Sequence, residues 1–212
     1  VLNHPAAFSK SNIRDIIDFA AERYIEVVPC LDSLGHANFY LMHKEFQHLA
    51  EIPGNICELC TINPETLVFI KNLWREVLEV HRDCRFAAIT GDEVFREGEF
   101  CPACNKYAKE GKLSLLYTNY YRDLGNWVLE HGVRPMIWAD MIEIYPEEID
   151  RLPRETVFGD WNYSGHRKGA GGLSLFLRGA GEFRQGEENQ VPDRYARTFG
   201  RYLRSTDGTV PF

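Results

Sequence analysis

The 212-residue sequence predicts an α/β fold built on a parallel sheet, and more narrowly a (β/α)8 barrel that is incomplete in this chain, with about four β/α units visible. Two observations carry the expectation. Apolar, β-branched runs alternate along the chain with helical patterns, and that alternation gives parallel strands joined by crossovers. Each run also ends in polar or aromatic residues: Asp32 and His36, then Asp92 and Glu93, then Trp138 and Asp140, then Trp161 and Tyr163. Parallel strands deliver such ends to one face, where barrels keep their chemistry. A complete barrel takes about 250 residues. No strand is readable before the first helix or after Tyr163, so the barrel is expected to be partial and to occupy residues 1–165.

The elements follow in order. Ser11–Tyr24 reads as a helix, with Ser11 or Asn12 as its cap and a stripe of Ile13, Ile16, Ile17, Phe19 and Ala20. Ile25–Pro29 is a β-branched strand. Ala37–Glu51 has helical spacing in Phe39, Leu41, Met42, Phe46 and Leu49. Pro64 suits the first turn of a long helix, Pro64–His81, with Leu67, Ile70, Leu73, Trp74, Val77 and Leu78 on one side. Arg85–Thr90 is a short buried strand whose exit loop holds Cys101 and Cys104. A second long helix runs from Lys112 to His131. Val133–Trp138 is a strand, Pro146–Leu152 a short helix, and Thr156–Trp161 the last strand.

The tail is different. Residues 166–212 hold 8 Lys and Arg against 5 Asp and Glu, whereas residues 1–165 hold 16 against 26. This Gly- and Arg-rich C-terminal segment is expected to be weakly ordered or atypical for the barrel.

The formal charge of −7 disfavours a nucleic-acid partner. No apolar run reaches the roughly 20 residues that span a bilayer, so no membrane partner is expected. No charged-then-apolar leader is visible, and the chain opens on Val1. The expectation is a cytoplasmic protein whose N-terminus is missing.

The densest chemistry lies in Arg85–Arg96, RFAAITGDEVFR. Neighbouring side chains on a regular strand point to opposite faces. Asp92 and Glu93 can share a pocket only if the strand breaks at or near Gly91, and glycine permits that break. Two carboxylates held together can divide acid and ionised roles. Taken alone, the dipeptide also reads as a solvated strand end. The four strand ends taken together decide between the two readings.

Val27-Val28-Pro29-Cys30-Leu31-Asp32-Ser33-Leu34-Gly35-His36 resembles the third-strand motif of glycoside hydrolase family 20, the β-N-acetylhexosaminidases. Ile89–Phe95 resembles that family's fourth-strand Gly-Asp-Glu signature. Pro135–Met141 and Phe158–Gly165 resemble its later tryptophan-bearing strands. The Cys60-Thr61-Ile62-Asn63-Pro64 run and the Trp138–Met141 segment are most similar to its hexosaminidase D-like branch. The resemblance covers roughly residues 5–165 and implies a glycoside hydrolase that removes terminal β-linked N-acetylhexosamine, GlcNAc or GalNAc, from a glycan or glycoside. It implies Glu93 as general acid/base and Asp92 as the carboxylate that orients the 2-acetamido group. The nucleophile is then the substrate's own carbonyl oxygen, configuration is retained, and no cofactor is required. His36, Trp138, Trp161 and Tyr163 match substrate-binding positions. Leu34 stands where the family has proline. The family's first-strand arginine and seventh-strand Tyr/Asp pair are not in the chain, which implies a fragment of a longer enzyme, inactive by itself. The competing readings are a non-catalytic carbohydrate-binding or zinc-stabilised interaction protein on a truncated barrel, and a glycosidase using its carboxylates as nucleophile and acid.

Cys57, Cys60, Cys101 and Cys104 form two Cys-x-x-Cys pairs, the ligand count of a structural zinc site. The 40 residues between the pairs exceed zinc-ribbon spacing, but loops after adjacent strands are neighbours. Free thiols and two local pairs are the alternatives. Cys30 and Cys84 read as buried and inert.

Overall fold

The computed structural model describes residues 7–161 and the backbone of Leu175–Leu177. Helix α1, Lys10–Ala21, is capped by Ser9, not by Ser11 or Asn12. The Ser9 hydroxyl accepts the Asn12 N–H at 3.1 Å, and Asn12 Oδ1 accepts the Ser9 N–H at 3.1 Å. Asn12 thus closes a capping box from three residues inside the cap. Of the expected stripe on α1 only Ala20 is buried, and Ile16 and Phe19 face outward.

Ile25–Pro29 does not form a full strand. It meets the sheet through a single parallel bridge, Cys30 to Ala88, made by the Leu31 N–H to the Ala88 carbonyl at 3.0 Å and the Ala88 N–H to the Pro29 carbonyl at 2.9 Å. The reason is local. Pro29 has no N–H to give, and the Glu26 carboxylate, not a backbone carbonyl, takes the Arg85 N–H at 2.8 Å.

The expected helix over Ala37–Glu51 is two pieces: α2, Asn38–Leu41, and a 3-10 turn, Lys44–Leu49, separated at extended His43. The ring of Tyr40 packs on Phe69 at 5.5 Å between centroids, and that of Phe46 packs on the same Phe69 at 4.7 Å. Residues six apart on one helix point about 120° apart. The break lets both rings reach one partner. Helix α3, Pro64–Val80, starts as expected, with the Asn63 side chain accepting the Glu65 N–H at 3.0 Å and Pro64 in the first turn.

Strand β1, Phe86–Thr90, is followed by helix α4, Pro102–Lys109, where the sequence suggested only a loop. Helix α5, Leu113–Glu130, strand β2, Arg134–Trp138, and the short helix α6, Asp140–Ile144, come next. A 3-10 turn, Pro146–Arg151, leads to strand β3, Val157–Gly159, and strand β4 is Leu175–Leu177. The sheet order is β1-β2-β3-β4; β1, β2 and β3 are parallel, and β4 is antiparallel to β3. The parallel sheet is as expected. The antiparallel β4 lies in the apolar run of the tail, where no strand was anticipated. The rest of residues 166–212 lies outside the described residues.

The core sits between the sheet and its helices, around Leu41, Ile70, Trp74, Ile89, Leu124 and Ile137, each fully buried. No helix among the described residues is long and apolar enough to cross a membrane.

Candidate active site

The site is built where β1 stops being a strand. Its register against β2 shifts between Ala88 and Thr90. Thr90 has φ 56°, Gly91 109° and Glu93 53°, and across the site His36 has 52°. Left-handed backbone is uncommon outside glycine, and for β-branched Thr90 it is a strained conformation. Such strain persists only where the surroundings hold it.

Helix α5 supplies much of that hold. The Tyr117 hydroxyl donates to the Gly91 carbonyl at 2.9 Å, and the Tyr120 hydroxyl donates to the Ser33 carbonyl at 2.6 Å. Burial raises both phenols well above their ordinary pKa, so both remain donors. The Ser33 N–H reaches Thr90 Oγ1 at 3.3 Å, and Trp74 Nε1 donates to Ser33 Oγ at 3.1 Å. A side chain at Gly91 would start 2.6 Å from the Tyr117 hydroxyl. At Gly35 it would start 2.6 Å from the Asp92 carbonyl. The two segments therefore lie backbone against backbone.

The break brings Asp92, Glu93 and His36 together. His36 Nε2 lies 3.1 Å from Asp92 Oδ2 and 3.4 Å from Glu93 Oε2. The Asp92 side chain is 20% exposed, Glu93 46% and His36 45%, so the cluster is rooted in the fold and open on its outer side. Asp140, at the end of β2, accepts the Glu93 N–H on Oδ2 at 2.9 Å and the Trp161 indole N–H on Oδ1 at 3.4 Å. Trp161 thus joins the carboxylates through Asp140. Trp138 is half-buried against β3. A side chain at Gly159 would start 2.7 Å from its ring, so glycine leaves room for the indole. Tyr163 lies outside the described residues.

Burial raises the pKa of Asp140, against the lowering effect of the Glu93 N–H and the Trp161 indole. Burial likewise raises Asp32, with Asp92 adding to the rise and His36 opposing it. The site therefore sets Asp92 and Glu93 against one imidazole, with Asp32 and Asp140 close enough for each to feel the Asp92 charge. Such a field favours positive charge developing on a bound molecule, and adjacent carboxyl groups allow one to give a proton while another stays ionised.

Three contributors are not obvious in the sequence. Asp140 stands at a strand end, which is its signal, but its two donors come from other strands. Tyr117 and Tyr120 read as part of the apolar face of a helix, and nothing local announces their carbonyl partners.

The cysteines depart from the expected set. Cys57 is exposed, with its sulfur 4.0 Å from Asn38 Nδ2. Cys60, Cys101 and Cys104 do meet, and the fourth member of their group is Glu51. Cys57 is held away because the Ala37 N–H donates to the Cys57 carbonyl at 2.8 Å, which ties that residue to the α2 side of the loop. Cys30 is exposed and Cys84 partly so, contrary to the sequence reading.

Residues 2–171 match the sequence profile described as glycosyl hydrolase family 20, catalytic domain. Human Hexosaminidase D is 31% identical over 149 residues, which cover 67% of this chain and 30% of that protein. Hexosaminidase D of cattle is 26% identical over 163 residues, covering 74% of this chain and 47% of that protein. The crystal structure of the β-N-acetylhexosaminidase from Bacteroides fragilis superposes with a TM-score of 0.63 at 26% identity, over 76% of this chain and 33% of that one. The chain therefore spans less than half the length of each of these relatives.

Proposed function

The chain belongs to glycosyl hydrolase family 20, and on that premise we propose that it is the part of a β-N-acetylhexosaminidase that bears the catalytic carboxylates. The observation that carries this reading is the convergence of Asp92 and Glu93 on His36, at 3.1 and 3.4 Å, across a strand end that breaks to allow it. In this reading β1–β3 and the Cys30 bridge are consecutive strands of a (β/α)8 barrel. Residues 1–165 are its partial catalytic domain, followed by the Gly- and Arg-rich C-terminal segment, residues 166–212.

Glu93 protonates the glycosidic oxygen as the bond to the leaving group breaks. Asp92 holds the substrate's 2-acetamido group so that its carbonyl oxygen attacks the anomeric carbon, and it stays ionised beside the positive oxazolinium that forms. Glu93, now a carboxylate, takes a proton from the water that opens this intermediate, and the configuration is retained. Making the attack intramolecular is worth about 7–11 kcal/mol at best. His36 bridges the two carboxylates, and Asp140 fixes the Glu93 backbone. Trp161 and Trp138 line the sugar. The substrate is a glycan or glycoside ending in N-acetylhexosamine, and the reaction needs no cofactor.

The test compares an aryl N-acetylglucosaminide with the matching glucoside, using the protein that contains this chain. Substrate assistance requires cleavage of the first and almost none of the second, and equal rates on both would overturn it. Glu93→Gln should lower kcat by about 100- to 10,000-fold. Unchanged turnover would remove Glu93 from its role.

A further inference from the structure

Outside the carboxylate cluster, the chain buries a second group of ligand-type side chains. The Cys60 and Cys104 sulfurs are 3.6 Å apart, and one ligand atom from each of Glu51, Cys60, Cys101 and Cys104 lies within 4.8 Å of all the others. Glu51 is 2% exposed, Cys60 5% and Cys104 0%. Glu51 Oε1 accepts the N–H groups of Gly98 and Cys101, both at 3.1 Å. Its other oxygen, Oε2, is fully buried without a hydrogen-bond partner.

We propose that Glu51, Cys60, Cys101 and Cys104 bind one zinc ion that clasps the loop following β1. Zinc takes thiolates at about 2.3 Å and carboxylate oxygens at about 2.0–2.2 Å in a tetrahedron, which places neighbouring sulfurs about 3.8 Å apart. The Cys60–Cys104 separation of 3.6 Å is already close to that value, and the rest of the group, all within 4.8 Å, needs to contract by about 1.2 Å at most. Three thiolates exclude the hard, oxygen-seeking cations and select a softer one. A Cys60–Cys104 disulfide would satisfy two sulfurs and leave Glu51 Oε2 as it is. A metal satisfies all four groups, and binding it releases the thiol protons.

The placement gives the ion a purpose. Glu51 and Cys60 flank the Ala50–Leu59 bridge, while Cys101 and Cys104 open α4. Between them, Glu58 accepts the Phe95 and Arg96 N–H groups at 3.0 and 3.1 Å. The clasped segment, residues 94–101, begins at the residue after Glu93. The ion would hold that loop without touching a sugar.

The full chain should be purified under reducing conditions without chelator, its zinc measured by mass spectrometry, and the zinc then replaced by Co2+. About one equivalent of zinc and a strong thiolate-to-cobalt absorption band are expected for the wild type and equally for Cys57→Ser. Glu51→Gln and Cys104→Ser should weaken Zn2+ binding by at least about tenfold. Should these variants fail to fold, the wild type and Cys57→Ser still decide. A folded wild-type chain that takes up no zinc from an excess overturns the site. So does a Cys60–Cys104 disulfide trapped by thiol blocking, or loss of the metal on Cys57→Ser.

Discussion

His36 can touch two carboxylates that are adjacent in sequence because Glu93 adopts φ 53° and His36 itself adopts 52°. Those values are maintained from below. The Tyr117 hydroxyl is the one side-chain donor given to the Gly91 carbonyl among the described residues, and it is wholly buried. Tyr117→Phe keeps the ring against Tyr121, 4.6 Å between centroids, and removes only the donor. It should cost about 1–3 kcal/mol of stability, since the carbonyl is left buried without its partner. It should also lower kcat more than it raises KM, because the change loosens Asp92 and Glu93 without touching the sugar. Denaturant midpoints and steady-state kinetics on the same preparation check both parts. A neutral Tyr117→Phe would mean that the break is held elsewhere. The Asp92-Glu93 pair was legible as a candidate from its place after an apolar run. Tyr117 was not, because a tyrosine on an amphipathic helix looks like core until its partner 26 residues away is known.

At the scale of elements, β1 shows what was legible and why. Phe86–Thr90 is an apolar run closed by glycine, and a strand with a break at Gly91 follows from those residues alone. The break is also where a substitution should be least tolerated. Gly91→Ala must adopt φ 109° and place a methyl 2.6 Å from the Tyr117 hydroxyl and 2.7 Å from the Tyr121 ring. Strain and overpacking together should cost about 2–5 kcal/mol. Thermal unfolding of the variant would show it, and a shift of only a degree or two would contradict the tight packing. Helix α4 is legible from Pro102, a helix-starting residue at the first position, although the Cys-Pro-Ala-Cys run equally suits a metal-binding loop. The split of Ala37–Glu51 was not legible, since the reason for it is Phe69, on another element. Local spacing describes a face of a helix; it does not say that two rings must reach one partner.

For the molecule as a whole, the parallel order of strands was readable because each βα unit carries its own punctuation, while the antiparallel β4 depends on pairing with β3, which no local pattern encodes. The net charge of −7 was equally plain, but not where the acids would be buried. Four of them titrate high for the same first cause. Burial raises Asp32, Glu58, Glu97 and Asp140. A carboxyl whose pKa is higher folded than unfolded contributes stability below the ordinary carboxylate range, and that contribution is lost as pH rises through the raised value. The chain should therefore be most stable at mildly acidic pH and weaken toward neutrality. Urea midpoints measured between about pH 4 and pH 8 should fall across that window. Asp140→Asn removes one ionisation and keeps an acceptor for the Glu93 N–H, so its midpoints should fall less steeply than those of the wild type. Stability that climbed from acid to neutral pH would mean that charge-assisted hydrogen bonds to these carboxylates outweigh their desolvation. The four acids would then act as ionised anchors of the loops they hold.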